Sequence, residues 1–315
     1  MLPDYSKSIV SIASSALSHF GARTHHKTLP EMDVLLDKQP KNVVVMLFDG
    51  MGTEIIKKHL PKDAFLTRHM LFPVSSVFPP TTTAATTSIY SGLTPAEHGW
   101  LGWTLYFDET DRNVDIFPNT LAYTDGIPAD RYNVAKRFLP YRSICEKITE
   151  ATGGKVAAHT VSEFTDDIKR STLEGICTSV KNLCAEDGRK FIYAYYIQPD
   201  ADIHEHGVGS AAAAKQIMAI NSAVEKLASS VKDTLIAVTA DHGLIDTEWR
   251  FLPEYPSVLD CLARDPSIES RAMTFFIKPG KEAKFECEFN RFFGDCFKLI
   301  THSEVIESRL FGDGA

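Results

Sequence analysis

Three acidic residues and two histidines in this chain stand where an apolar run gives way to a turn. Asp49 follows the run at 43–48, Asp200 follows the run at 190–196, and Asp241-His242 follow the run at 234–239; His204 comes four residues after Asp200. Carboxylates and imidazoles are ligands for Zn²⁺ and related divalent cations, so a set gathered on one edge of a sheet is a candidate metal site. A single turn aspartate means little, because Asp closes turns on its own backbone. Three such ends are harder to assign to turn chemistry. Asp200 and His204, spaced i, i+4, would share one face of a helical turn and could reach one ion. Asp241 and His242 are adjacent: an extended segment would send them to opposite sides, whereas a loop could turn both inward, so their spacing is ambiguous. Read alone, Asp-His-Gly is also a glycine-closed turn.

The segment Phe78-Pro79-Pro80-Thr81-Thr82-Thr83-Ala84-Ala85-Thr86-Thr87-Ser88 carries five threonines in a stretch that otherwise reads as a helix. Threonine is a mediocre helix former. At a helix start it is an ordinary N-cap. The same position places a hydroxyl in the positive field of the helix end, beside free backbone N–H groups that favour a phosphate and a developing oxyanion. Such a hydroxyl needs activation to act as a nucleophile. A bound Zn²⁺ supplies activation of this kind, since it lowers the pKa of bound water from about 15.7 to about 7.

These residues need a scaffold that brings strand ends together. The β-branched run at 43–48 predicts a fully buried parallel strand. Further strands are predicted at 74–78, 155–159, 190–196, 234–239 and 273–277, and helices at 5–20, 54–60, 81–91, 141–151 and 211–231. Residues 22–41 read as a polar connector. Residues 100–140, aromatic, acidic and proline-punctuated, read as a long surface excursion. The Phe-rich stretch 281–311 reads as a small appended lobe. The alternation predicts an α/β fold: an α/β/α sandwich with a doubly wound, mainly parallel sheet. Such sheets bind ligands at the carboxyl ends of their strands. The whole chain, 1–315, is expected to form one catalytic domain with its core at about 42–280.

Composition removes several classes. With 315 residues, 44% hydrophobic and 23% charged, the chain is an ordinary globular one. Its net charge of −8 argues against a nucleic-acid coat, which needs a basic footprint. No apolar run approaches the ~18 residues of a membrane span. No secretory signal is visible and the six cysteines form no Cys-x-x-Cys pair, so reduced thiols and a cytoplasmic location are expected. Asp49-Gly-Met-Gly is not the Gly-x-Gly-x-x-Gly of dinucleotide binding.

Taken in order, four segments resemble the type I phosphodiesterase/nucleotide pyrophosphatase family of the alkaline phosphatase superfamily. They are Val-Val-Val-Met-Leu-Phe-Asp49-Gly, the threonine segment continuing through Ser88-Ile-Tyr-Ser-Gly92-Leu to His98-Gly, Gln-Pro-Asp200-Ala-Asp-Ile-His204, and Thr-Ala-Asp241-His242-Gly243. Order and spacing agree over roughly residues 42–245. The resemblance implies two divalent metal ions, Zn²⁺ with Mn²⁺ as the alternative. Asp49, Asp241 and His242 would hold one ion, with Thr82 beside it. Asp200, His204 and a further histidine would hold the other. Thr82 matches the family nucleophile better than Thr81, because it stands six residues before Ser88 in the Ser-x-x-Ser-Gly-Leu helix end. His98 matches a family position and is read as structural.

The implied reaction is in-line displacement at phosphorus, passing through a phospho-threonine, on a small phosphate-ester or nucleotide substrate. Phosphomonoester, phosphonate or sulfate-ester hydrolysis on the same scaffold, or an inactive form, are the alternatives. The sulfatase variant lacks its Cys-x-Pro-x-Arg segment here. Two departures stand out. Trp103 occupies the position of a phosphoryl-binding Asn, and the Trp-Leu-Gly-Trp run is more similar to the bacterial branch. The C-terminal segment that carries the family's last metal histidine has no match, which implies a C-terminally truncated member. His302 reads as a helix start and His206 as pointing away. Oligomeric state is not legible.

Overall fold

Asn42–Phe48, the first strand, is buried at every residue. Its β-branched and long apolar side chains alternate between two cores. Val43, Val45 and Leu47 enter one, and Val44, Met46 and Phe48 the other. A strand apolar on both sides must lie between two layers. The computed structural model of the chain describes residues 3–165 and 167–314. Within these, the strands are β1 (Asn42–Phe48), β2 (Thr104–Phe107), β3 (Arg112–Asp115), β4 (Thr120–Leu121), β5 (Val156–Ser162), β6 (Ile168–Lys169), β7 (Arg189–Tyr196), β8 (Thr234–Thr239), β9 (Ser267–Glu269) and β10 (Ala272–Thr274).

The central sheet runs β6-β5-β7-β1-β8, and all its pairings are parallel. Helices Ile9–His19, Pro30–Leu36, Thr82–Ser91 and Ile144–Ala151 cover one face. Helices Thr53–His59, Phe65–His69, Leu173–Ala185 and Ala211–Ser230 cover the other. This is the expected α/β/α sandwich with a doubly wound parallel sheet. Register sets where the strand-end loops emerge: Phe48 pairs with Tyr196 and Leu47 with Thr239. The three strands therefore finish level, and the loops carrying Asp49, Asp200 and Asp241 leave the sheet side by side.

The threonine-rich helix Thr82–Ser91 packs against Ile9–His19. Small side chains on both helices allow a close approach, and Thr86 Oγ1 satisfies itself on the Thr82 carbonyl at 2.6 Å. The helix stops at Gly92, whose φ of 69° is left-handed and where a Cβ would meet Leu17 Cδ1 at 2.7 Å. Glycine answers both constraints.

Four expectations are corrected. Residues 74–78 form no regular strand: Ser75 makes one isolated bridge to Ser8, and the following Pro79-Pro80 cannot extend a ladder. The 100–140 excursion is not surface loop alone; β2, β3 and β4 build a second sheet with β9 and β10, in the order β10-β9-β2-β3-β4. The run at 273–277 does not join the central sheet. Its beginning lies in β10, which pairs antiparallel with β9, and a short apolar run cannot reveal its partner. The connector at 22–41 contains the helix Pro30–Leu36, with proline at its first position.

Beyond the sheets, helix Glu282–Phe293 aligns Phe285, Phe289 and Phe293 at i, i+4 against Val258, Cys261 and Leu262 in a cluster of their own. Among the described residues no helix is long and apolar enough to cross a membrane.

Candidate active site

At the carboxyl edge of the parallel sheet the backbones of the three acid-bearing loops are tied to one another. Asp49 donates its N–H to the Tyr196 carbonyl at 3.0 Å, and its own carbonyl accepts from Asp200 N at 3.1 Å. Gly50 N donates to Asp241 Oδ1 at 3.0 Å. Glycines permit this closeness. A Cβ on Gly50 would stand 3.0 Å from Asp200 Cβ, and one on Gly52 would stand 2.8 Å from Gly243 Cα. The glycines of Asp-Gly-Met-Gly and Asp-His-Gly are thus requirements of two loops in contact.

The side chains converge. Asp49 and Asp241 are fully buried, and ligand atoms of Asp49, Asp200 and His242 lie within 4.8 Å of one another. His242 Nδ1 donates to the Gly243 carbonyl at 3.1 Å. That fixes the tautomer and turns Nε2 inward, 3.4 Å from Asp49 Oδ1 and 3.5 Å from Asp241 Oδ2. Asp241 Oδ1 is occupied by two backbone N–H groups, but Asp241 Oδ2 and Asp200 Oδ1 are buried without a hydrogen-bond partner. His204 Nε2 lies 3.4 Å from Asp200 Oδ1, on a side chain 67% exposed.

Thr82 begins its helix in this setting. Its Oγ1 is 3.2 Å from His242 Nε2 and 3.4 Å from Asp49 Oδ1. The N-cap residue, Thr81, does not cap the helix with its side chain. Its hydroxyl turns away and donates to Glu269 Oε1 at 2.8 Å. The first-turn amides beside Thr82 therefore have no side-chain acceptor at the helix end and are free for an anion.

Burial raises the pKa of Asp49 well above the carboxylate range, with the Asp241 charge adding to it. Burial likewise raises those of Asp200 and Asp241. Among the described residues, the ion-pair partners of these carboxylates are histidines only. Three desolvated carboxylates, two orphaned oxygens and an inward imidazole nitrogen form a donor set short of positive charge. That set fits a divalent cation.

All six residues named from the sequence, Asp49, Thr82, Asp200, His204, Asp241 and His242, come to this edge, His204 on its exposed side. Two neighbours carry no signal in the sequence. Tyr195, on β7, donates its hydroxyl to Asp49 Oδ2; a tyrosine in the run Tyr-Ala-Tyr-Tyr reads only as strand. Glu269, on β9, accepts from Thr81 and from Trp103 N at 2.7 Å, across 188 and 166 residues of chain. Its pKa is raised by burial. The residue before it, Ile268, is held at φ 78°, and its carbonyl faces Gly102, where a Cβ would meet it at 2.5 Å. A β-branched residue in this region is strained.

His98 is buried and fully used: Nδ1 accepts from Trp100 N at 3.0 Å and Nε2 bonds Ser88 Oγ at 2.9 Å. Desolvation lowers its pKa to about 3. His206 sits beside Glu205, and His302 opens the exposed helix His302–Glu307. Trp103 is 43% exposed, its ring 6.0 Å from that of Phe117. A cleft of about 4000 Å³ opens onto Thr82, Asp200 and His242 and is lined further out by Trp103, Phe117 and Phe289.

A parallel α/β/α fold with acids, an imidazole and a helix-end hydroxyl at one sheet edge defines the class, and comparison with known proteins gives the family. The type I phosphodiesterase/nucleotide pyrophosphatase family matches residues 43–279. The chain belongs to that family, and membership indicates a hydrolase of phosphate esters. Murine ectonucleotide pyrophosphatase/phosphodiesterase 5, in an inactive variant bound to AMP, superposes with a TM-score of 0.61 at 16% identity, over 86% of this chain and 75% of its own. A second structure of the same murine protein gives 0.60 at 16% identity over the same shares, 86% and 75%. A phosphonoacetate hydrolase from Sinorhizobium meliloti, in complex with phosphonoformate, aligns at 18% identity over 65% of this chain and 57% of its own, with a TM-score of 0.45. No curated protein matches.

Proposed function

We propose that this chain hydrolyses phosphodiester or nucleotide pyrophosphate bonds, with Thr82 as the nucleophile and residues 1–315 acting as one catalytic unit. The observation that carries the reading is the position of Thr82 Oγ1, within 3.4 Å of both Asp49 Oδ1 and His242 Nε2 at an uncapped helix start. Family membership supports the substrate class, and the AMP bound to the murine relative supports a nucleotide.

Asp49, Asp241 and His242 would hold one divalent cation, and Asp200 with His204 a second; Zn²⁺ suits the donors, and Mn²⁺ is compatible with them. When bound, such ions polarise phosphoryl oxygens and lower the pKa of hydroxyls. The remaining work falls to the chain's own groups. The helix Thr82–Ser91 turns its free first-turn amides toward an anion and favours the charge that grows on phosphoryl oxygens in the transition state. Thr82 Oγ forms a bond to phosphorus as the bond from phosphorus to the ester oxygen breaks; the hydroxyl proton passes to solvent and the departing oxygen takes one from water. Water then attacks the phospho-threonine in line and frees Thr82. The Gly243 hydrogen bond keeps His242 from rotating, and the Tyr195 hydroxyl keeps Asp49 from rotating. The six thiols are unpaired, and the reading assigns the chain to a reducing compartment, the cytoplasm.

The test is hydrolysis of bis-p-nitrophenyl phosphate beside p-nitrophenyl phosphate in Zn²⁺ or Mn²⁺, with Thr82→Ala as comparison. Diester turnover should exceed monoester turnover and fall by on the order of 10³-fold or more in the variant. A folded wild-type chain that turns over neither ester refutes the proposal.

A further inference from the structure

A second group of metal-binding side chains converges away from the cleft: His25, His26 and Glu97, none of which lines it. Glu97 is the N3 residue of the short helix Pro95–His98. Its Oε2 accepts from Thr94 N at 2.7 Å, the capping-box bond that holds the carboxylate in one orientation. His25 Nε2 lies 2.5 Å from Oε1 and His26 Nε2 lies 2.6 Å from Oε2. Successive side chains of an extended segment point to opposite sides. Here the two rings are 4.2 Å apart, centroid to centroid, and aim the same nitrogen at the same carboxylate. The ligand atoms of the three residues all lie within 4.8 Å of one another.

We propose that His25, His26 and Glu97 form a structural binding site for a divalent cation of the zinc type. Two imidazole nitrogens and one carboxylate are a Zn²⁺ donor set, with a fourth position left for water. His25 is 65% exposed, which gives an ion an entry path and leaves that fourth position facing solvent, while His26 and Glu97 are 10% and 15% exposed. In the metal-free chain both Nε2 atoms carry the protons of their hydrogen bonds to Glu97. On binding, each Nε2 gives up its proton, to its own Nδ1 from a neutral ring or to solvent from an imidazolium, and the two lone pairs and the carboxylate turn to the ion. Tetrahedral ligands at about 2.0–2.1 Å from zinc stand about 3.3 Å apart, so each ring nitrogen and the carboxylate oxygen it now touches part by under about 1 Å.

The place explains a structural use. His25 and His26 follow the helix Ile9–His19, whereas Glu97 sits at the corner after the helix that starts with Thr82. The C-terminal residues land on the same corner, through Thr94 Oγ1 to the Asp313 carbonyl at 2.6 Å and Ala96 N to the Phe311 carbonyl at 3.0 Å. An ion here would fasten the amino-terminal segment to the corner that also receives the carboxyl-terminal one.

The test is zinc content per chain, measured by elemental analysis after zinc loading and dialysis, for the wild-type chain of residues 1–315, His25→Ala and Glu97→Gln. His25→Ala removes an exposed ring, and Gln at N3 preserves the capping box, so both variants should keep the fold by circular dichroism. Each should hold one zinc fewer than wild type and show a smaller zinc-induced rise in Tm. Equal zinc content in wild type and both folded variants overturns the proposal and leaves a hydrogen-bonded staple.

Discussion

The two sheets contribute to the cleft in different ways. The parallel sheet delivers its side chains from loops cross-tied by short backbone bonds, Asp49 N to Tyr196 O at 3.0 Å and Asp200 N to Asp49 O at 3.1 Å. The antiparallel sheet is made of strands of two to four residues, and its two halves meet at the single pair Thr104↔Ile268. It presents Trp103, Phe117 and Tyr123 with 43%, 40% and 66% exposure. Its one deep reach is Glu269, which touches Thr81 rather than the acid cluster. Groups that must be held to a fraction of an ångström come from the rigid edge. Groups that can only shape what enters come from the looser one.

Experiment can separate the two roles. The largest effect should come from removing metal. Dialysis against a chelator should abolish turnover, and added Zn²⁺ should restore it. The same step exposes the carboxylates. Asp49, Asp200 and Asp241 have folded-state pKa values raised above the usual 3.8, so across that window the folded metal-free chain binds more protons than the unfolded one. Its stability should therefore fall as pH rises above about 4, and zinc should suppress the fall. Thermal melts from pH 5 to 8 with and without zinc read this; parallel curves would mean that no ion offsets the carboxylates.

A smaller effect is expected at Tyr195, which touches the rigid edge without being a ligand. Tyr195→Phe removes only the hydroxyl on Asp49 and should cost about 10–100-fold in metal affinity or kcat. Retained affinity and rate would show that backbone ties alone hold Asp49.

The smallest effect belongs to the looser sheet. Glu269→Gln keeps an oxygen for Thr81 and Trp103 but removes the negative charge. The doubly charged monoester should gain on the diester by about tenfold, or ~1.4 kcal/mol, with kcat for the diester nearly unchanged. A loss of kcat for both esters would place Glu269 with the rigid edge.

The difference between the sheets also decides what can be read from sequence. β1 announces itself through Val-Val-Val-Met-Leu-Phe, and Asp49, Asp200 and Asp241 are legible because parallel strands that end level put their turns on one edge. Thr82 is legible because five threonines sit where a helix begins. β2 to β4 are not, since their short runs of two to four residues alternate weakly and lie among prolines. β10 reads as a strand of the central sheet, because an apolar run of a few residues does not name its partner. Glu269 and Tyr195 stay hidden for a related reason: a lone acid and a strand tyrosine gain their meaning only from residues 188 and 146 positions away. His98 and His242 look alike in sequence, each followed by glycine. Their partners separate them, since both nitrogens of His98 are spent inside the fold while Nε2 of His242 faces the carboxylates.

Cleavage of the ester through Thr82 takes two displacements, and the stereochemistry at phosphorus counts them. The measurement is hydrolysis of a phosphorus-chiral phosphorothioate diester in oxygen-18 water. Each in-line step inverts phosphorus, so a covalent threonine intermediate predicts net retention. Net inversion would mean that water attacks the substrate in a single step and that Thr82 is not the nucleophile.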